Sequence, residues 1–517
     1  MSQPSPILLT GAAGGLGIHV LRRLQEQGRP VLAIDRVSPQ KQRRHSLLHD
    51  DDHVEWMMGP FDDDQLLALV RRVDTVIHCA GLTETDQPDT DLFDAHFNFT
   101  RRLYRLATTA GVEHFIHISC ASVYQATGGL RSESSPTEAT NPFEEAKLRA
   151  EESLQKHRAR HDEAPRLTVL RLALLYGPGC TTMGAGLVPI PALLRGVSRY
   201  LPGLAGGPRT NWCHVGDAAE AVLLVLNSPE ARDQIYNVAD ETPLSFGEVV
   251  TSITEAYRID LGPSVRIPSF ALWALLGPLL DDEDAFGLLR ALLKLLWRQV
   301  QKAHNLESPL EPRLNRDALF YASDDAIVLA EPLRSLGWSP KRTDFREGIA
   351  HTIRWYQEEG WVPRFDPDAL VERKDAHPRA TFTLDEHWVG SFDGPDGLAS
   401  ARLDLELTFK SWPLLRGAEA HLDGTLSIEG LAQEVPVSGT VDWLWWPTLR
   451  FHYQGGFQTG RGSFRVQGSR AIAPRRPINS FTQLDLELCD HLGQRLGPIK
   501  LHATSGPLAL LAASSAS

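Results

Sequence analysis

The feature that most constrains this chain lies near its start, in Ile7-Leu8-Leu9-Thr10-Gly11-Ala12-Ala13-Gly14-Gly15-Leu16-Gly17, where an apolar strand breaks into glycines and then opens a helix. Glycines at Gly11, Gly14 and Gly17 let the backbone turn tightly and leave the first helical N–H groups facing whatever anion approaches. Further apolar runs at residues 31–34, 75–78, 114–119 and 167–170 alternate with helix-period segments. That alternation predicts βαβ units on a parallel sheet.

At 517 residues the chain is too long for one ordinary core, and 42% hydrophobic content suffices to bury two or three. The expected class is α/β, a Rossmann-type doubly wound parallel sheet with a small substrate lobe, followed by an all-β barrel or sandwich. Residues 1–362 make the first part, with the substrate lobe mainly within 180–335. Residues 363–378, rich in charge and proline, read as a linker, 379–508 as the β-domain and 509–517 as a disordered tail. The β reading rests on strict alternation in Ala401-Arg402-Leu403-Asp404-Leu405-Glu406-Leu407-Thr408-Phe409. Comparable runs around Thr381, Leu422, Val437, Phe451, Phe464, Leu486 and Leu501 bring the total to about eight strands.

A formal net charge of −13 argues against a nucleic-acid surface. The five cysteines, Cys79, Cys120, Cys180, Cys213 and Cys489, are odd in number and lack metal-ligand spacing, so no metal is expected and a reducing cytoplasm fits best. No secretory signal is legible at the start, and no run reaches the roughly eighteen apolar residues of a membrane span. Oligomeric state is not legible.

Asp35, ending the second strand, can accept hydrogen bonds from ribose hydroxyls and would repel a 2′-phosphate, so the glycine turn favours NAD over NADP. Arg36 follows at once and could hold a phosphate instead. With these residues the chain resembles the extended short-chain dehydrogenase/reductase family, also called the NAD-dependent epimerase/dehydratase family. His78-Cys79-Ala80-Gly81, Asn98, Ser122-Val123-Tyr124, Leu170-Arg171 and Tyr176-Gly177-Pro178-Gly179 fall in family order. So do His214-Val215-Gly216-Asp217, Tyr236-Asn237-Val238, Leu336-Gly337-Trp338, Glu347-Gly348-Ile349 and Trp355-Tyr356. The resemblance covers residues 7 to about 361. It implies that Gly15 and Leu16 face the pyrophosphate and that Ala80 and Gly81 line the central ribose. In the adenine pocket the family's Gly-Asp pair reads Gly59-Pro60, with Phe61 as the next candidate contact and Asp62 or Asp63 as candidate replacement acceptors.

The same resemblance exposes a missing group. The family's reaction uses a tyrosine to pass a proton, a lysine four residues later to lower its pKa, and a Ser or Thr to orient the substrate. Here Phe143 stands at the tyrosine, Cys120 at the Ser or Thr, and Lys147 alone is retained, where it would also hold the nicotinamide ribose. A benzene ring cannot exchange a proton, and losing one general acid/base costs a factor of roughly 10² to 10⁴. No tyrosine of the chain has a lysine four residues later. Three replacements are open: Tyr124 from the next turn, Glu144 or Glu145 through water, and Cys120 itself.

On the substrate side Thr210-Asn211-Trp212 stands where nucleotide-sugar members carry an Arg-Asp-Phe-like segment, with Arg209 one residue away. Apolar residues crowd 263–300, from Phe270, Leu272 and Trp273 to Phe286, Leu288, Leu289, Leu292 and Trp297, more in the style of the sterol-type branch. Arg290, Lys294, Arg298 and Lys302 recur every fourth residue, so segment 284–302 is either a lid with a solvated edge or a peripheral membrane contact. The stretch from Arg450 to Gly468 is similar to a β-domain appended to some sterol-oxidising flavoenzymes. Trp443, Trp445 and Trp446 read as core and rim rather than a ligand cage.

Three functions follow: an NAD-binding protein whose proton transfer is lost or rerouted, with an apolar small molecule as ligand; a working NAD-dependent oxidoreductase on a sterol-like or lipid hydroxyl or ketone; or a cofactor-stabilised interaction module.

Overall fold

The structure, a computed structural model, describes residues 5–48, 53–82, 88–125, 129–181, 183–195, 201–266, 283–312, 325–365, 382–395, 397–409, 419–444, 450–471 and 483–504. The chain divides into two compact units: Met1–Ala192 with Pro202–Trp273 and Gln301–Phe365, and Leu193–Leu201 with Ala274–Val300 and Asp366–Ser517.

The first unit begins with β1 (Ile7–Thr10), β2 (Val31–Asp35), β3 (Val54–Met58), β4 (Thr75–His78), β5 (His114–Cys120), β6 (Gly129–Arg131), β7 (Arg166–Leu172) and β8 (Leu174–Tyr176). Later come β9 (Leu201–Ala205), β10 (Arg209–Thr210), β11 (Trp212–His214), β12 (Gln234–Val238), β13 (Leu244–Ser245), β14 (Leu261–Arg266) and β15 (Ala326–Val328). Seven of them form one parallel sheet in the order β12-β7-β5-β4-β1-β2-β3. β1, β4 and β5 are buried along their whole length, as continuous apolar runs require when helices cover both faces of a sheet. Helices α1 (Gly17–Glu26), α2 (Asp63–Val70), α3 (Asp89–Phe93), α4 (Phe99–Ala110) and α5 (Pro142–Arg160) supply part of that cover. One core joins Leu8, Leu32 and Val76 of the sheet to Leu66 and Leu69 of α2, Leu103 and Tyr104 of α4, and Leu154 of α5.

A smaller sheet has the order β13-β10-β15-β6. Asn237 of β12 braces it: its Nδ2 donates to Leu329 O at 2.9 Å, while Asn211 Oδ1 accepts from Val328 N at 2.7 Å.

In the second unit eight antiparallel strands between Phe382 and Ala503 close into a barrel, so of the two β architectures expected the barrel is the one formed. Ala401, Leu403, Leu405 and Leu407 point into its core with Trp388 and Leu426, as the alternation requires. Glycines sit where strands press together: a Cβ on Gly439 would lie 1.9 Å from Gln454 O. Inside, Arg470 pairs with Glu386 at 3.0 Å, and Trp388 Nε1 donates to the same carboxylate at 3.1 Å.

Helix Glu283–His304 carries the basic stripe, and its Leu295, Leu296, Trp297 and Val300 are buried. No helix among the described residues is long and apolar enough to cross a membrane. Residues 270–276, most of the linker, the 509–517 tail, the side chains of Phe286, Leu288, Leu289, Leu292 and Trp443, and Trp445 and Trp446 lie outside the described residues.

Candidate functional site

A cavity of about 1280 Å³ opens along the C-terminal ends of β1, β2, β4 and β5. That exceeds the roughly 300–1,000 Å³ of a pocket for one small molecule. Gly11, Gly14, Gly15, Leu16, Gly17, Asp35, Arg36, Phe61, Ala80, Gly81, Cys120, Phe143 and Lys147 all line it. Of the sequence-derived candidates Tyr124, Asp62, Asp63, Glu144, Glu145 and Arg209 are left outside the lining.

Two glycines are dictated by packing. Gly11 has φ +68°, and a Cβ there would meet Ala80 N at 2.6 Å; one on Gly17 would lie 2.0 Å from Gly11 O. The turn therefore brings the helix against the strand as no larger residue could. α1 has no side-chain cap and no acidic residue in its first turn, so no side chain offsets the positive end of its dipole, although Ile18 N and His19 N donate to Gly14 O and Leu16 O within the turn. Asp35 locks the turn from the next strand, accepting from Ala13 N at 3.0 Å and from Arg36 N at 2.7 Å.

Beyond Asp35, the expected replacement acceptors are otherwise engaged. Asp62 caps α2, taking Gln65 N at 2.8 Å, and Asp63 pairs with Arg102, whose Nη2 also donates to Phe61 O. Phe61 and Arg102 face the cavity in their place.

At the opposite end Asn141 caps α5 and Pro142 occupies its first turn, which carries Phe143 and Lys147 inward one helical turn apart. Lys147 Nζ donates to Ile118 O at 2.8 Å, and burial pulls its pKa down. Phe143 is 6% exposed and packs edge-on against His96, ring centroids 5.0 Å apart. Among the described lining residues there is no tyrosine.

The three expected replacements fare poorly. Tyr124 OH donates to Asn237 Oδ1 at 2.7 Å and its ring lies under the Arg171 guanidinium, so it turns into the protein; burial raises its pKa. Glu144 is buried and accepts from Thr140 N and Oγ1, and Glu145 pairs with Arg149 on the outer face of α5. Cys120 reaches Ser122 Oγ at 3.0 Å, but burial pushes its thiol up to about 11, so it is no thiolate at neutral pH.

Residues 7–239 match the model of the NAD dependent epimerase/dehydratase family. The mouse dTDP-D-glucose 4,6-dehydratase is 25% identical over 68% of this chain and 88% of its own length. The UDP-glucose 4-epimerase of Mycolicibacterium smegmatis is 28% identical over 50% of this chain and 85% of its own. The solved dTDP-glucose 4,6-dehydratase DesIV of Streptomyces venezuelae, with NAD and TYD bound, superposes with a TM-score of 0.50 at 21% identity, covering 69% of this chain and 98% of that one. At that identity the likeness is one of fold.

Within the matched region and around it the structure adds cavity residues that no sequence pattern marked. Arg44, from the basic run Lys41-Gln42-Arg43-Arg44, is buried under the glycine turn: Nε donates to Gly179 O at 2.6 Å, Nη1 to Ala13 O at 3.2 Å and Nη2 to Thr181 Oγ1 at 2.9 Å. His96 enters through a π-helical turn, Asp94–Asn98, and rests on Gly81, where a Cβ would strike its ring at 2.5 Å. Arg131 lines the far wall with Thr210, Asn211, Ala326 and Val328. Arg209, the arginine expected near the substrate, is instead bound to Asp325 by Nε and Nη2 at 3.1 and 2.9 Å.

Proposed function

We propose that this chain binds NAD in the glycine-lined cavity, takes a largely apolar ligand beside it, and lacks the family's usual proton transfer. The observation that carries the reading is the pairing of a buried, retained Lys147 with Phe143 where the phenol should be, in a cavity whose described lining holds no tyrosine. The residues fit the cofactor. A cradle that a Cβ would fill, a helix N-terminus without a side-chain cap and a carboxylate at Asp35 suit a pyrophosphate followed by an unphosphorylated ribose.

When bound, NAD supplies a hydride acceptor. Lys147 holds a positive charge at the buried end of the site and lowers the cost of any anion formed there. Phe143, Leu82, Leu172, Leu174 and Leu175 give the cavity apolar lining. His96, whose Nδ1 has no partner, is held well below its ordinary pKa by burial. The relatives named for dTDP-glucose and UDP-glucose make a sugar nucleotide the second reading, but Arg209 is tied to Asp325.

Restoring the phenol tests this. Phe143→Tyr should create NADH formation from hydroxysteroids, or raise it by a factor of roughly 10² to 10⁴ over the wild type. Equal turnover by the two proteins, or none by the variant while it still binds NAD, would sink the reading.

A further inference from the structure

Arg131 lies on β6, 5% exposed, and is one of the residues that line the cavity. It makes no hydrogen bond or ion pair through its side chain to any described residue, and its Nε is buried without a partner. A buried cation without a counter-charge is expensive: the effective penalty of taking an ion out of water is several kcal/mol, and proteins normally offset it with a carboxylate. Of the other arginines that line the cavity, Arg44 is held by four oxygen atoms of the protein and Arg102 by Asp63, while Arg36 is exposed to solvent.

The backbone under Arg131 is fixed. Its carbonyl accepts from Leu329 N at 2.8 Å, β6 pairs in parallel with β15 so that Arg131 stands opposite Val328, and Val328 N is held by Asn211. Arg131 thus stands on a fixed strand and shares the cavity lining with Thr210 and Asn211. A planar fork of N–H donors in that setting matches a carboxylate or phosphate.

We propose that Arg131 is the anion-recognising residue of this cavity, so that the ligand taken beside the dinucleotide is an amphipathic acid: an apolar body carrying a carboxylate or phosphate group. The proposal rests on the reading above for the presence of a dinucleotide, and deepens it by naming the ligand's polar end. Leu174, Leu175 and Val328 supply the apolar surface for the body.

The test is calorimetric titration of dodecanoate, dodecyl phosphate and dodecanol, with and without saturating NAD, into the wild type, Arg131→Met and Arg131→Lys. At least one of the two acids should bind the wild type about tenfold or more tighter than the alcohol, as expected for charge-assisted bonds at a buried site. Which acid binds tighter separates a carboxylate from a phosphate ligand. Arg131→Met should lose the preference and bind all three alike, and Arg131→Lys should keep part of it. Replacing a buried, unpaired charge by an apolar side chain of similar length should leave the fold as stable or more so, and a melting temperature no lower than the wild type's checks that. Equal binding of acid and alcohol by the wild type, no binding of either acid, or a preference retained in Arg131→Met would overturn the proposal. Failure of NAD to bind at all would count against the cofactor reading alone, since the titrations on the free protein still report the anion preference.

Discussion

Asp240, just past β12, gives the sharpest quantitative prediction. Its N–H donates to Trp212 O at 3.0 Å and its carbonyl accepts from Asn211 Nδ2 at 2.6 Å, so it braces a residue of the cavity wall. Its carboxyl is 4% exposed as a residue, Oδ1 has no partner, and burial, with the charge of Asp217 adding and Arg334 opposing, pushes its pKa from 3.8 up to about 8. Between those values the folded chain holds a proton that the unfolded chain has lost, so stability falls as pH rises through the window. At about 1.4 kcal/mol per pKa unit, going from pH 5 to pH 7.5 should cost about 3 kcal/mol, a factor of roughly 10² in the opening equilibrium. Asp240→Asn removes the titration and should flatten that slope. The assay is hydrogen exchange of the β11 and β12 amides by mass spectrometry, corrected for intrinsic rates, which isolates this region from the second unit. If the wild type and Asp240→Asn lose protection equally with pH, the carboxyl is not the group responsible and the reasoning fails.

Three further outcomes are expected. Gly17→Ala puts a methyl 2.0 Å from Gly11 O, so NAD affinity by calorimetry should fall by about tenfold or more. Arg470→Met strands Glu386 inside the barrel and should cost about 3–5 kcal/mol in denaturant unfolding, with most of it recovered in the double variant with Glu386→Gln. Cys120→Ser alone should give no turnover, because it supplies an orienting hydroxyl but no acid of suitable pKa; added to Phe143→Tyr it should raise the rate further in the same NADH assay.

Much of this was legible in the residues because the decisive features are local. Strand, glycines and helix occupy one continuous stretch, and the barrel strands announce themselves by period two. Phe143 and Lys147 sit one helical turn apart, so their pairing shows without coordinates. The rest depends on contacts far apart in sequence. Arg44 looks like one cation in a basic run until Gly179 and Thr181 close over it, and Arg131 becomes a cavity residue only when β6 pairs with β15, almost two hundred positions later. Tyr124 failed as a replacement for a similar reason: its partner Asn237 lies on a strand that follows by 113 residues. Asp62 and Asp63 are claimed by a helix cap and by Arg102, which spacing alone does not reveal.

The central claim is that the glycine-lined cavity is a working NAD site beside a disarmed catalytic position. Calorimetric titration of the purified wild type with NAD, NADH and NADP tests it most directly. One molecule of NAD or NADH should bind per chain, with NADP weaker because Asp35 faces the 2′-phosphate. No heat and no thermal shift with either NAD or NADH would contradict it.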